Sequence, residues 1–431
     1  MNAIITPHKF TGTVKIPASK SHTIRQLLIA TLADGESEIK YPLDSLDTRS
    51  CIQACRAFGA DITEVYDNNK TLVSLKIIGN DNFKIPAVSN RIDVGNSGTT
   101  LYLALAVAAL QSQQIEFCGD ESIQKRSAAP LLDALSGLGV QVQSNNGCAP
   151  IKIKGAYASG KVSLSCPTSQ YLSALLIASP LASAGTVIEI NVPLLNEKPY
   201  VEMTLSYLKA HGIPYEAESD FSRFVIPGGS SWKSFSSAVP GDFSSAAFPA
   251  AAAAITGGSV TMLGLDFQDT QGDKFFIKML EKMGCTVKTN EDDKIRNIVT
   301  ISRDKPLCGG TFDLNETPDL LPAAAVVAAY ANGDTALINV AHARIKETDR
   351  ISVVTQELAK LGVSCTELPD GLIIHGKGAL SPQNNPVIEG HNDHRIVMAF
   401  AVSALGSPVP VEITTFECAD VTYPNFLSIF G

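Results

Sequence analysis

The stretch NSGTTLYLALAVAALQSQQIEF (residues 96–117), followed closely by PLLDALSGLGVQVQ (residues 130–143), holds the key to the fold. Its first part opens on small polar residues, runs into a helical segment that is apolar on every side, and turns into a β-type run. A helix without a polar face belongs inside a core. The second part is an amphipathic helix that stops at Gly139, a residue that can go left-handed without a Cβ penalty, and again leads into a β-type run. The pair reads as strand, helix, strand, helix and further strands, a unit that needs neighbours to cover its apolar helix.

Outward from there, both phrases recur. The first begins at Ser19, Asn96, Thr168, Asp242, Glu316 and Asn392, 72 to 77 residues apart. The second ends at Gly59, Gly139, Gly212, Gly284 and Gly362, and a truncated sixth helix, YPNFLSIFG, closes at Gly431. Such a period is that of one supersecondary unit. Six units in 431 residues divide into two domains of three, because one core rarely serves so long a chain. The register breaks at Ala238-Val239-Pro240-Gly241. If the N-terminal strand joins the C-terminal half, a second crossing lies near Ala18. Domain I is then 1–18 plus 240–431, and domain II is 19–239.

Each apolar helix is introduced by residues that cap well: Ser19 and Ser21, Asn96 and Ser97, Thr168 and Ser169, Asp242 and Ser244, Thr317 and Asp319, and Asp393. Simple capping accounts for any one of them. Helix N-termini are also prepared anion sites, and here cations stand beside them. Lys20 and Arg25 flank the first cluster, Lys125 and Arg126 follow the second β-type run, Lys346 and Arg350 lie in IKETDR, and Arg395 follows His394. With a net charge of −9, the chain does not suit a polyanionic nucleic acid. Local cations in an acidic chain point instead to small anionic substrates, held where two three-unit domains face each other across a cleft that closes.

Apolar residues make up 45% and charged residues 18%, which excludes a disordered chain. Mean hydropathy of +0.12 raises the question of a membrane. The Ala-rich runs at 249–255 and 323–331 fall well short of the ~20 apolar residues a span needs, so they read as buried core helices. The opening MNAIITPHKFTG has no signal-peptide pattern, so the expected location is the cytoplasm. Nine scattered cysteines with no CxxC pair read as reduced thiols.

Taken in order, PASKSHTIR (17–25), GNSGTT (95–100), Lys125-Arg126, TSQYLSALL (168–176), KPYVEMT (198–204), PGDFSSAAF (240–248), TPD (317–319), RIKETDR (344–350) and NDHR (392–395) resemble the 5-enolpyruvylshikimate-3-phosphate synthases over essentially the whole chain. The resemblance implies two inside-out α/β domains, each of three repeated βαβαββ-like units, with the active site in the interdomain cleft. It implies attack of the 5-hydroxyl of shikimate 3-phosphate on C2 of phosphoenolpyruvate, through a tetrahedral intermediate that loses phosphate. This is a step of the shikimate pathway toward aromatic amino acids. No metal or cofactor is implied, and the expected state is a monomer.

By motif position, Lys20, Ser21, Arg25, Thr168, Ser169, Gln170, Tyr200, Asp319 and Lys346 would hold shikimate 3-phosphate. Lys20, Gly98, Arg126, Gln170, Arg350 and Arg395 would hold phosphoenolpyruvate. Asp319 and Glu347 would move protons, assisted by Lys20. Read from residues alone, Glu347 could equally be an ordinary ion-pair partner, His394 a structural histidine, and His22 a neighbour rather than a reactant.

Four positions depart from the usual family pattern. Tyr102 stands where Arg is common, Glu197 where Ser is usual before KPY, His342 where many bacterial members have Asn, and Val421 where a donor-binding Lys is expected. Two lost cations and a gained anion predict a raised KM for phosphoenolpyruvate and weak inhibition by glyphosate, an anionic inhibitor of the family. Steady-state kinetics with ordinary affinity for both would refute this. Two rivals share the overall pattern. One is a catalytically impaired synthase-like binding protein. The other is the UDP-N-acetylglucosamine enolpyruvyl transferase family, which has Lys-Asn where this chain has Lys20-Ser21 and a reactive-Cys loop that Cys118, in IEFCGD, does not match.

Overall fold

Why the chain turns inside out follows from its two kinds of helix. A computed structural model describes residues 1–80, 87–290, 298–383 and 385–430. In chain order its α-helices are α1 (Lys20–Leu32), α2 (Leu46–Ala57), α3 (Gly98–Ala108), α4 (Ala129–Gly137), α5 (Gln170–Ala178), α6 (Lys198–His211), α7 (Phe243–Thr256), α8 (Phe275–Lys282), α9 (Leu321–Ala329), α10 (Arg350–Lys360) and α11 (His394–Leu405). The odd-numbered helices come from the first phrase and are buried on all sides except at a terminal residue or two. The even-numbered helices bury one face only.

Two compact units result, Met1–Pro17 with Pro240–Gly431, and Ala18–Val239. Each has its own hydrophobic core. In the first, α7, α9 and α11 pack on one another; in the second, α3 packs on both α1 and α5. Alanines at 246, 247, 250–254 and 323–325 let helices approach closely in the first unit. No described helix is long and apolar enough to cross a membrane.

The sheets repeat one pattern. Arg91–Asp93 runs parallel to Ile115–Cys118, which pairs antiparallel with Cys148–Lys154, itself antiparallel to Gln141–Asn145. With α3 and α4 between the strands, this is the βαβαββ order read from the repeat. Gly160–Ser163, Val187–Asn191, Arg223–Pro227 and Glu216–Ala217 copy it around α5 and α6. The two crossings modify the pattern. Thr11–Lys15 runs parallel to Ser259–Leu263, yet the next helix in the chain is α1 of the other unit. Ser236–Ala238 runs parallel to Glu36–Lys40, and the next helix is α7. Each crossing thus leaves its strand behind and sends the following helix onward.

The five glycines expected to end helices all have φ between 69° and 109°, the left-handed region. Two expectations need correction. The final YPNFLSIFG does not form an α-helix: Phe426–Phe430 is a 3-10 turn, and Gly431 lies outside the described residues. Pro424 and a left-handed Asn425 leave too short a run to nucleate one. Side-chain capping by Ser19, Ser97, Asp242 and Asp393 is present. Ser169 and Thr317 make no such bond. The Ser169 hydroxyl is engaged elsewhere, and a 3-10 turn at Pro318–Leu320 precedes α9.

Candidate active site

In the unit that contains the C-terminus, charged groups gather at the starts of three elements. Asp319 lies in the 3-10 turn before α9, Lys346 and Glu347 follow another 3-10 turn (Ala341–Ile345), and Arg350 is the first residue of α10. Asp393 caps α11, which also carries Arg395. The fully buried Arg350 is the hub. Its Nε donates to Asp393 Oδ2 at 2.8 Å, its Nη1 to Asp319 Oδ1 at 2.8 Å, and its Nη2 to Glu347 Oε2 at 2.6 Å. Arg395 Nη2 donates to the other Asp319 oxygen at 2.9 Å, and Lys346 Nζ stands 4.0 Å from Asp319 Oδ1. Three carboxylates thus face three cations. Arg344 braces the loop through Asp349 Oδ2 at 2.7 Å and the Leu368 carbonyl at 2.7 Å.

This arrangement sets protonation. Burial alone would push the Asp319 carboxyl up, but Arg395, Lys346 and Arg350 outweigh it and hold the group well below the usual carboxylate range. Burial alone would pull the Arg350 guanidinium down, and Asp393, Glu347 and Asp319 outweigh that and keep it charged. Asp319 is therefore ionised and, while gripped by two arginines, a weak base. An anion that drew Arg350 and Arg395 toward itself would make Asp319 more basic.

The other unit builds its cluster differently. Lys20 opens α1 and donates to Asp47 Oδ2, in the first turn of α2, at 3.0 Å. Arg25 is buried one helical turn further on. It donates to Thr204 Oγ1 at 2.9 Å, to the Ser21 carbonyl, to Ser173 Oγ and to the Tyr200 carbonyl, each of the last three at 3.2 Å. These are all neutral oxygens, and burial brings its guanidinium down to about 10. At α3, a Cβ on Gly98 would stand 2.8 Å from Arg126 Nη1, so only glycine leaves the guanidinium its place. Arg126 Nη2 donates to Asn96 Oδ1 at 3.1 Å and Ser122 Oγ at 2.8 Å. At the start of α5, Thr168 Oγ1, Ser169 N and Ser169 Oγ all donate to Glu197 Oε2, at 3.0, 3.0 and 2.9 Å. Gln170 Nε2 donates to Thr168 Oγ1 at 2.9 Å.

Of the residues named from sequence, the structure joins Asp319, Lys346, Glu347, Arg350 and Arg395 in one network. It links Ser21, Arg25 and Tyr200 in a second, Thr168, Ser169 and Gln170 in a third, and Gly98 with Arg126 in a fourth. Lys20 bonds to Asp47 instead. The ion-pair reading of Glu347 describes its contact with Arg350, and His22 Nδ1 lies 2.6 Å from Tyr207 Oη. Sequence reasoning missed Asp393 as the counter-ion of Arg350, Asp47 as the partner of Lys20, and Ser173 with Thr204 as seats for Arg25. Asp393 stood inside the NDHR motif but read only as a cap. The departures Tyr102 and Val421 are buried packing positions, Tyr102 edge-on to Tyr171 at 5.0 Å between ring centres. His342 Nε2 lies 3.0 Å from the Asn315 carbonyl oxygen.

Comparison with known proteins adds the following. The family EPSP synthase (3-phosphoshikimate 1-carboxyvinyltransferase) matches residues 4–430. A 3-phosphoshikimate 1-carboxyvinyltransferase of Ruminiclostridium cellulolyticum is 44% identical over 420 residues, 96% of this chain and 94% of that one. Its counterpart in Acetivibrio thermocellus is 43% identical, covering 98% and 96%. Among solved structures, EPSP synthase from Acinetobacter baumannii superimposes with a TM-score of 0.79 at 28% identity, covering 99% of this chain and 97% of that one.

Proposed function

This chain belongs to the EPSP synthase family, and from that membership we propose how its residues carry the reaction. The enzyme transfers the enolpyruvyl group of phosphoenolpyruvate to the 5-hydroxyl of shikimate 3-phosphate and releases phosphate. Ser21, Arg25, Thr168, Ser169, Gln170, Tyr200 and Lys346 hold shikimate 3-phosphate. Asp319 also holds shikimate 3-phosphate; Gly98, Arg126, Gln170, Arg350 and Arg395 hold phosphoenolpyruvate, and Lys20 holds both substrates. The single observation that carries this reading is the network of Asp319 and Glu347 with Arg350, Arg395 and Lys346.

The reaction must take a proton from an alcohol, a very weak acid, and add one to a vinyl carbon. As the hydroxyl oxygen bonds to C2 of phosphoenolpyruvate, its proton passes to a carboxylate and C3 gains a proton, giving a tetrahedral intermediate with a methyl group. Loss of that proton as the C2–O bond to phosphate breaks restores the double bond. Asp319 becomes a competent base when the arriving anion engages Arg350 and Arg395 and loosens their grip. Glu347, on the same arginine, is the second proton carrier, and Lys20 assists. The arginines stabilise the departing phosphate, an electrostatic role worth most where water is excluded. We further propose a cytoplasmic monomer that needs neither metal nor cofactor.

The test is a coupled phosphate-release assay. Phosphate should appear only with both substrates present, and UDP-N-acetylglucosamine should not replace shikimate 3-phosphate. No release from folded protein would sink the reading in favour of a binding protein.

A further inference from the structure

Glu197 is the least expected acid in the molecule. It is buried, 1% exposed, and directly precedes α6 in the left-handed backbone region at φ 58° and ψ 40°, which non-glycine residues rarely adopt. Its Oε2 collects three hydrogen bonds, from Thr168 Oγ1, Ser169 N and Ser169 Oγ. A backbone N–H and two hydroxyls converging on one oxygen at the start of α5 make the kind of seat that phosphate oxygens take. A second observation bears on the same spot. Arg25 is buried with hydrogen bonds only to neutral oxygens among the described residues; burial lowers its guanidinium, and Tyr207, Tyr200 and Glu197 work against that. The region therefore calls for an anion, and this chain supplies one of its own.

We propose that the Glu197 carboxylate is a resident competitor that fills the seat for the phosphate of shikimate 3-phosphate and must be displaced before the substrate binds. The inference rests on the assignment of Thr168 and Ser169 to shikimate 3-phosphate and takes its phosphate as the group they meet. Two anions cannot share donors that already converge on one oxygen, so the substrate's phosphate and Glu197 exclude each other. The chain gains a binding surface satisfied in the empty enzyme, and its affinity for the phosphorylated substrate is lowered. The discrimination concerns the phosphate alone, so shikimate itself, which lacks that group, is not penalised.

Isothermal titration calorimetry on the full chain tests this, comparing the parent with Glu197→Gln. The variant keeps the shape of the side chain and removes the charge. Expected is roughly tenfold or tighter binding of shikimate 3-phosphate by the variant, with little change for shikimate, since tenfold in Kd corresponds to about 1.4 kcal/mol. Inorganic phosphate, used alone as a probe, should also bind the variant better. Without ligand the variant should melt at a lower temperature, and shikimate 3-phosphate should raise its Tm more than the parent's. If Glu197→Gln fails to fold, Glu197→Asp, which pulls the carboxylate back by one methylene, should show the same tightening to a smaller degree.

Unchanged or weaker binding of shikimate 3-phosphate and of phosphate by a folded variant overturns the proposal and makes Glu197 a positioning residue for Thr168 and Ser169. If the parent releases no phosphate from the substrate pair but the variant gains affinity for inorganic phosphate, the assigned reaction fails while the occupied seat stands.

Discussion

The two units hold their buried arginines by opposite means. Arg350 is surrounded by Asp319, Glu347 and Asp393, so its charge is neutralised before any ligand arrives. Arg25, equally buried, donates only to carbonyl and hydroxyl oxygens among the described residues. Under the proposed assignment, substrate must rearrange the first set of ion pairs, which suits proton transfer. The second is a seat of neutral oxygens, which under the same assignment suits binding. Removing a partner from a buried ion network leaves uncompensated charge, whereas removing an arginine from neutral acceptors forfeits hydrogen bonds only.

The largest effect should come from Arg350→Met, which takes one cation from Asp393, Glu347 and Asp319 together and is expected to lower stability by about 3–5 kcal/mol. Arg25→Met should lose less, about 1–3 kcal/mol. Urea titrations of both variants decide the matter, and equal losses would erase the contrast. Acid should strike the same network. The Asp319 carboxyl lies lower in the folded chain than in the unfolded one, so its contribution is complete above the unfolded value of about 4 and drains away as pH falls below it. Stability measured from pH 6 down to pH 2 should drop below about pH 4, and Asp319→Asn should flatten that slope.

On activity, Asp319→Asn is expected to reduce kcat by about 10²–10⁴-fold, the usual worth of a proton-transfer group. A change confined to KM would move Asp319 from chemistry to binding and blur the distinction between the two clusters. The smallest effect belongs to Gly98→Ala. Its methyl group would displace the Arg126 guanidinium, a flexible neighbour, so the KM for phosphoenolpyruvate should rise by roughly three- to tenfold, up to about 1.4 kcal/mol, with little loss of stability. A drop in Tm of many degrees would show that the glycine serves packing instead.

Much of the architecture was legible because its signals are local. The all-apolar runs of α3, α7 and α9 announced central helices, and Gly59 to Gly362 marked the helix ends. The ninth to eleventh helices also carried their motifs, TPD, RIKETDR and NDHR, at predictable places. What stayed hidden is non-local. Nothing near Arg350 in the chain says that Asp393, 43 residues away, is its partner, nor near Lys20 that Asp47 will reach it. Glu197 was visible as a departure from pattern, but its contact with Ser169, 28 residues earlier, was not.

The sequence by itself determined which helices are buried, where the chain turns, and which short motifs bear the charges, because periodicity and backbone preference act over a few residues. Only the tertiary structure decided which acid neutralises which base, and that the Glu197 carboxylate takes up the donors of Thr168 and Ser169 at the start of α5. Electrostatic partners are chosen by distance in space and by the exclusion of water, and neither is written in the spacing of residues along the chain.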